Sequence, residues 1–244
     1  FAAMTPIIGA EVSGIDLSAP LDSGIQKQMT EALLGHQVLF FRDQNMTLDQ
    51  HKDVGRQFGE LHIHPSARGP EGHPEILLVH ADENTKRTAG DKWHSDVSCD
   101  PEPPSISILH LHTLPAAGGD TLFSSMYAAF DALSNEMQTY LNGLTAIHDG
   151  GPNYRDRAAR LGKVDNRQYP RSEHPVIRAH PVTGRKGIYV NSTFTTEICG
   201  VPTDEGNAIL AFLYAHVAKP QFQCRFRWQR NSVAMWDNRC VQHH

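Results

Sequence analysis

The chain has 244 residues, a net charge of −5, 39% hydrophobic and 20% charged residues, a size at which an all-β sandwich or barrel can fold as one unit. Its Lys and Arg are scattered rather than gathered into a basic footprint for nucleic acid, no apolar run approaches the ~18 residues of a membrane helix, and no signal peptide is evident. Cys99, Cys199, Cys224 and Cys240 include no Cys-x-x-Cys pair and fit reduced thiols in a cytoplasmic protein, whereas fifteen histidines raise the question of metal binding.

Ile7 to Leu17 alternates apolar and polar residues with glycine punctuation, which predicts a strand and a turn. Ile25, Met29, Ala32 and Leu33 fall at helical spacing over residues 24 to 35, and Gln37 to Phe41 follows as a buried strand. Thr47-Leu48-Asp49-Gln50 has the form of a capping box, predicting a second helix over residues 48 to 58. Strands are then expected at Glu75 to Ala81, Ser105 to His112, Leu144 to His148, Val176 to His180, Gly187 to Asn191, Phe222 to Gln229 and Val233 to Asp237. Helical inserts are expected at residues 125 to 143 and 204 to 217, and Asn153 to Glu173, charged and arginine-rich, reads as a mobile loop or lid. Short strands throughout, with little βαβ alternation, predict a sandwich or jelly roll: a mainly β single domain with helical inserts.

A mononuclear Fe(II) oxygenase holds its metal with two imidazoles and one carboxylate on one face, leaving positions open for cosubstrate and oxygen. His-x-Asp on a strand supplies two of these, because residues i and i+2 share a face, whereas on a helix they diverge by about 200°. Four His-x-Asp/Glu pairs occur: His51/Asp53, His73/Glu75, His80/Asp82 and His94/Asp96. The first lies in a predicted helix, and the next two mark the ends of a predicted strand, where ordinary surface residues suffice. His94 and Asp96 sit in Asp91-Lys92-Trp93-His94-Ser95-Asp96-Val97-Ser98, with a large aromatic beside the histidine. A third ligand has to come from elsewhere, and the chain offers His243 and His244, of which a strand can aim only one at the metal.

Trp93-His94-Ser95-Asp96-Val97, Gly118-Gly119-Asp120-Thr121-Leu122, His174-Pro175-Val176, His180-Pro181, Gly184-Arg185, Trp236-Asp237-Asn238-Arg239 and Gln242-His243 together resemble the taurine dioxygenase (TauD/TfdA) family. Ile8-Gly9-Ala10-Glu11-Val12 and Leu61-His62-Ile63-His64-Pro65 extend the resemblance over nearly the whole chain. It implies a double-stranded β-helix, the cupin-like jelly roll, with Fe(II) held by His94, Asp96 and His243. It also implies that Thr121 binds the far carboxylate of the cosubstrate 2-oxoglutarate, although Gly118 to Thr121 taken alone reads as a turn entering a strand. The family further places an arginine shortly after the distal histidine; with the sequence stopping at His244, the expectation is either that this arginine lies in a C-terminal segment beyond it or that the cosubstrate is held differently.

The chemistry implied is consumption of O2 and 2-oxoglutarate to give succinate and CO2 while a C–H bond of a small anionic substrate, a sulfonate, sulfate ester or aryloxy acid, is hydroxylated. The resemblance gives His64 as a donor to the anionic head group and Phe194 as an apolar wall; ordinary core packing is the competing reading of both. Ala67 and Gly90 stand where taurine enzymes carry a tyrosine and an asparagine, pointing to an anion other than taurine or to a larger and more apolar substrate. Family members often form dimers or tetramers, with residues 204 to 217 as a candidate interface. The competing readings are a zinc hydrolase on the same three ligands and a non-catalytic β-sandwich binding module.

Overall fold

A computed structural model describes residues 1–67, 69–82, 85, 90–160 and 162–244. In chain order, β1 (Ala2–Ala3) and β2 (Ala10–Val12) lead to α1 (Ser23–His36), β3 (Val38–Phe41) and α2 (Leu48–Arg56). Then come β4 (Ile106–His110), β5 (Thr121–Ser125), α3 (Met126–Asp131), α4 (Asn135–Leu141), β6 (Thr145–Asp149) and α5 (Gly150–Arg160). The remainder is β7 (Arg171–Pro175), β8 (Ile177–Ala179), β9 (Lys186–Ile188), β10 (Thr195–Ile198), α6 (Thr203–Val217), β11 (Gln223–Phe226), β12 (Val233–Asp237) and β13 (Val241–His243).

The largest sheet has the order β1-β2-β3-β12-β4, and a second runs β11-β5-β13. In β3 all four residues are buried, and their period-2 alternation explains why. Val38 and Phe40, with Ala234 and Trp236 of the paired β12, face the second sheet and meet Phe123 and Phe226. Phe40 stacks on Phe226 at 4.1 Å between ring centroids and meets Phe123 edge-on at 5.3 Å. Leu39 and Phe41, with Val233 and Met235, face the other way and bury Met29 and Leu33 of α1. Two sheets stack face to face through this aromatic layer, the packing expected of a jelly roll, and α1 covers the outer face of the larger one.

The capping box at Thr47 is present, with Thr47 Oγ1 accepting from the Gln50 amide and Gln50 Oε1 accepting from the Thr47 amide. Gly9 of the first predicted strand has φ +92°, and a Cβ there would lie 2.9 Å from Cys224 Sγ and 3.4 Å from the Phe40 ring. Gly9→Ala should therefore lower stability by about 2 kcal/mol, through left-handed backbone strain and a core clash. A urea midpoint equal to that of the native chain would refute this.

Two expectations fail. Glu75 to Ala81 is not a strand: Leu78 and Val79 are exposed, and no neighbouring strand among the described residues offers the run a ladder. Within the supposed loop at 153 to 173, of which residue 161 lies outside the described residues, α5 occupies Gly150–Arg160 and β7 begins at Arg171. Gly150-Gly151-Pro152 reads as a helix breaker, but Pro152 falls in the first turn of α5, where no intrahelical partner is needed for its missing N–H. β7 was hidden by polar residues on its exposed face; its buried His174 pairs with Ala146 of β6.

Candidate metal centre

His94 and His243 are brought together by their backbones. The His94 amide donates to the His243 carbonyl at 3.1 Å, and the His243 amide donates to the His94 carbonyl at 2.9 Å. This antiparallel bridge sets the two side chains on one face, with ring centroids 4.2 Å apart. The expectation that Asp96 continues the strand is not met: pairing stops at His94, Asp96 opens a turn, and Val97 has φ +48°. Asp96 nonetheless points back, its Oδ1 3.6 Å from His94 Nε2 and 3.8 Å from His243 Nε2.

Ligand atoms of His94, Asp96 and His243 all lie within 4.8 Å of one another, the one such triad of His, Cys, Asp or Glu among the described residues. His244 takes another course, its ring beside Trp93 at 5.6 Å. Of the rival pairs, His51 and Asp53 lie on α2, His73 sits 3.7 Å from Asp49, and the His80 side chain is 82% exposed.

The hydrogen bonds around the triad leave acceptors pointing at its centre. His94 Nδ1 lies 2.8 Å from the Lys92 carbonyl, so this nitrogen donates and the Nε2 lone pair stays free. Ser107 Oγ donates to Asp96 Oδ2 at 2.6 Å, leaving Oδ1 for the histidines. Burial works against charge on Asp96, while the hydrogen bond from Ser107 favours its carboxylate form. His243 is pushed down to about 3, first by burial and then by His94, so its ring is neutral near pH 7. Phe123 and Trp236 pack against that ring at 6.1 and 4.7 Å, and its Nδ1 is buried without a partner. Two imidazoles and a carboxylate oxygen that approach this closely, too far apart to hydrogen-bond to one another, form a donor set that a divalent cation would satisfy.

Thr121 begins β5, whose Phe123 pairs with His243, and its side chain shares the Phe123 face. Trp228 Nε1 donates to Thr121 Oγ1 at 2.9 Å, so the hydroxyl proton is free to be donated elsewhere. His64 and Phe194 meet through Tyr154 of α5, at centroid distances of 5.4 and 5.7 Å. Val97, Cys99, Tyr154 and Phe194 form one small apolar cluster, beginning at the residue after Asp96. His64 Nδ1 accepts from the Ser66 amide at 3.2 Å, leaving Nε2–H as its donor. Burial and then Arg157 push His64 down to about 4. A cavity of about 540 Å³ adjoins it, lined by His64, Pro65, Ala67 and Arg167 among others. Gly90 lies beside the triad, where a Cβ would be 3.6 Å from His94 Cε1. Sequence reasoning missed Ser107, Tyr154 and Trp228, since each acts across a tertiary contact that carries no local signal.

The family described as Taurine catabolism dioxygenase TauD, TfdA family matches residues 1–244. The chain is 33% identical to the alpha-ketoglutarate-dependent sulfonate dioxygenase of Saccharomyces cerevisiae, over 98% of this chain and 61% of that protein. It is 30% identical to the alpha-ketoglutarate-dependent sulfate ester dioxygenase of Pseudomonas putida, over 97% of this chain and 80% of that one. The crystal structure of a taurine dioxygenase from Burkholderia xenovorans superposes with a TM-score of 0.84 at 35% identity, covering 99% of this chain and 80% of that chain. The chain thus spans about three fifths of the length of the yeast relatives it matches, 61% for S. cerevisiae and 62% for Schizosaccharomyces pombe.

Proposed function

Because the chain belongs to the taurine catabolism dioxygenase TauD, TfdA family, we propose that it is an Fe(II)- and 2-oxoglutarate-dependent dioxygenase. It hydroxylates a small anionic molecule of the sulfonate, sulfate ester or aryloxy acid class and releases succinate and CO2. The observation that carries this reading is the convergence of His94 Nε2, His243 Nε2 and Asp96 Oδ1, two-imidazole-one-carboxylate chemistry that suits non-haem iron.

His94, Asp96 and His243 hold the iron. When bound, iron with 2-oxoglutarate supplies the activation of O2 and the oxidation of the C–H bond, work no side chain here can do. Thr121 donates its hydroxyl to the far carboxylate of 2-oxoglutarate, while Trp228 occupies the acceptor side of the same oxygen. His64 donates from Nε2–H to the anionic head group, with Arg157 near enough to influence His64 and to add positive charge. Phe194 and Tyr154 wall the site against water and orient the apolar part of the substrate. Ala67, lining the cavity, and Gly90, beside His94, supply no polar side chain, which favours an anion other than taurine.

No helix among the described residues is long and apolar enough to cross a membrane. We place the protein in the cytoplasm, in keeping with four free cysteines. Self-association as a dimer or tetramer through α6, where Phe212 is exposed, completes the reading.

Anaerobic titration of the apoprotein with Fe(II) and 2-oxoglutarate is the test. A weak visible charge-transfer band should form, shift as sulfonates, sulfate esters or aryloxy acids are added, and vanish in His94→Ala. Tight zinc binding at these residues with no such band would instead favour a hydrolase.

A further inference from the structure

The turn that presents Asp96 is unfavourable on its own. Val97 sits at φ +48°, a left-handed conformation that a β-branched residue almost never adopts unaided, and its side chain is buried. Something next to it has to hold the backbone there. Asn238, fully buried just beyond β12, has the required geometry. Its Oδ1 accepts from the Asp96 amide at 2.6 Å, and its Nδ2 donates to the Asp96 carbonyl at 2.8 Å. The same Nδ2 donates to the Pro104 carbonyl at 3.0 Å, and the Asn238 amide donates to the Ser105 carbonyl at 2.9 Å. One amide side chain thus engages both backbone polar atoms of a single residue and ties them to the chain entering β4. That strand also carries Ser107, which fixes the Asp96 carboxylate.

We infer that Asn238 is the positioning residue of the metal centre: it clamps the Asp96 backbone in the strained turn so that Oδ1 faces His94 and His243. The inference rests on the iron site proposed above. Asn238 does not touch the metal ligand atoms; its side chain acts on the site through the Asp96 backbone. It also couples the ligands, because the turn Asp237–Cys240 that supplies the clamp runs straight into β13 and His243. The clamp demands an amide. Aspartate keeps the acceptor but sets a second oxygen against two carbonyls, and alanine removes both bonds.

The test is Mn(II) binding to the apoprotein by equilibrium dialysis, with folding followed separately by circular dichroism and thermal melting. The proteins compared are native, Asn238→Ala, Asn238→Asp, Val97→Gly, the double variant Asn238→Ala/Val97→Gly, and Asp96→Ala. Asn238→Ala and Asn238→Asp should stay folded and bind Mn(II) roughly 10- to 100-fold more weakly, the range expected when a partner of a metal ligand is lost. Val97→Gly should bind close to native. The double variant should regain much of the lost affinity, because glycine adopts positive φ without help; a purely structural role for Asn238 predicts no such rescue. Native affinity in both Asn238 variants, with binding lost in Asp96→Ala, would overturn the clamp and leave the metal site standing. Native affinity in Asp96→Ala would instead overturn the metal site. Unfolding of both Asn238 variants would also overturn the clamp, since a positioning residue leaves the fold intact.

Discussion

Asp96→Asn should abolish metal binding while leaving the apoprotein at least as stable as the native chain. In the native site three acceptors face one another: His94 Nε2, whose ring donates through Nδ1 to Lys92, the neutral His243 ring, and Asp96 Oδ1. An isosteric amide can keep its oxygen toward Ser107, replacing the 2.6 Å bond to Oδ2, and turn its NH2 toward the two histidines. Closing 3.6 and 3.8 Å gaps by a few tenths of an ångström would make hydrogen bonds where none exist. Each is worth about 1 kcal/mol. The same NH2 places protons where the cation belongs. Metal affinity should fall by more than the ~100-fold upper range seen for outer partners of a ligand, and iron-dependent succinate formation should disappear with it. A melting temperature several degrees below native, or metal binding within tenfold of native, would refute this account.

The second large effect is acid lability. Burial, followed by the neighbouring His174 and Arg178, pushes His148 down to about 3, and burial with His110 pushes His51 down to about 4. Unfolded histidine titrates near ~6.5. A group depressed in the fold binds more protons when unfolded, so stability is fully present above about pH 6.5 and is lost as pH falls toward the folded values. A unit of depression corresponds to about 1.4 kcal/mol, so these two rings can withdraw about 5 kcal/mol by pH ~4, comparable with the whole stability of many domains. His148 has little room to escape, with Ser98 Oγ 2.9 Å from Nδ1 and Thr195 Oγ1 3.3 Å from Nε2. Urea unfolding of metal-free protein should show midpoints falling steadily from pH 7 to pH 4.5, and His148→Gln should flatten the slope. A midpoint that holds constant over that range would exclude the linkage.

Much of this was legible in the chain because period and punctuation are local properties. Gln37 to Phe41 read as a buried strand and Val233 to Asp237 as a strand, and in the structure each sends alternate side chains to opposite faces of one sheet. The capping box at Thr47 read correctly for the same reason. Four His-x-Asp/Glu pairs looked alike, and the family resemblance singled out His94 and Asp96; the strand criterion set aside the helical pair His51/Asp53 but did not describe Asp96, which lies in a turn. What stayed hidden depends on partners distant in sequence. Ser107, Trp228 and Tyr154 are ordinary residues of their own segments and gain roles only across the fold. The left-handed Val97 is a harder case, since residue preference argues against it and only the Asn238 contact makes it intelligible.

The bridge between His94 and His243 closes a very long loop; even the adjoining bond from Ser95 Oγ to the Val241 carbonyl spans 146 positions of sequence. Chain closure on that scale is entropically costly but grows only logarithmically with length. A cation shared by the two ends would therefore act as a removable staple, drawing stability from the disorder it denies the unfolded chain. Iron in this protein would carry two duties at once, as reagent and as fastener, so that a chelator would loosen the closure of the sheet as well as halt the chemistry.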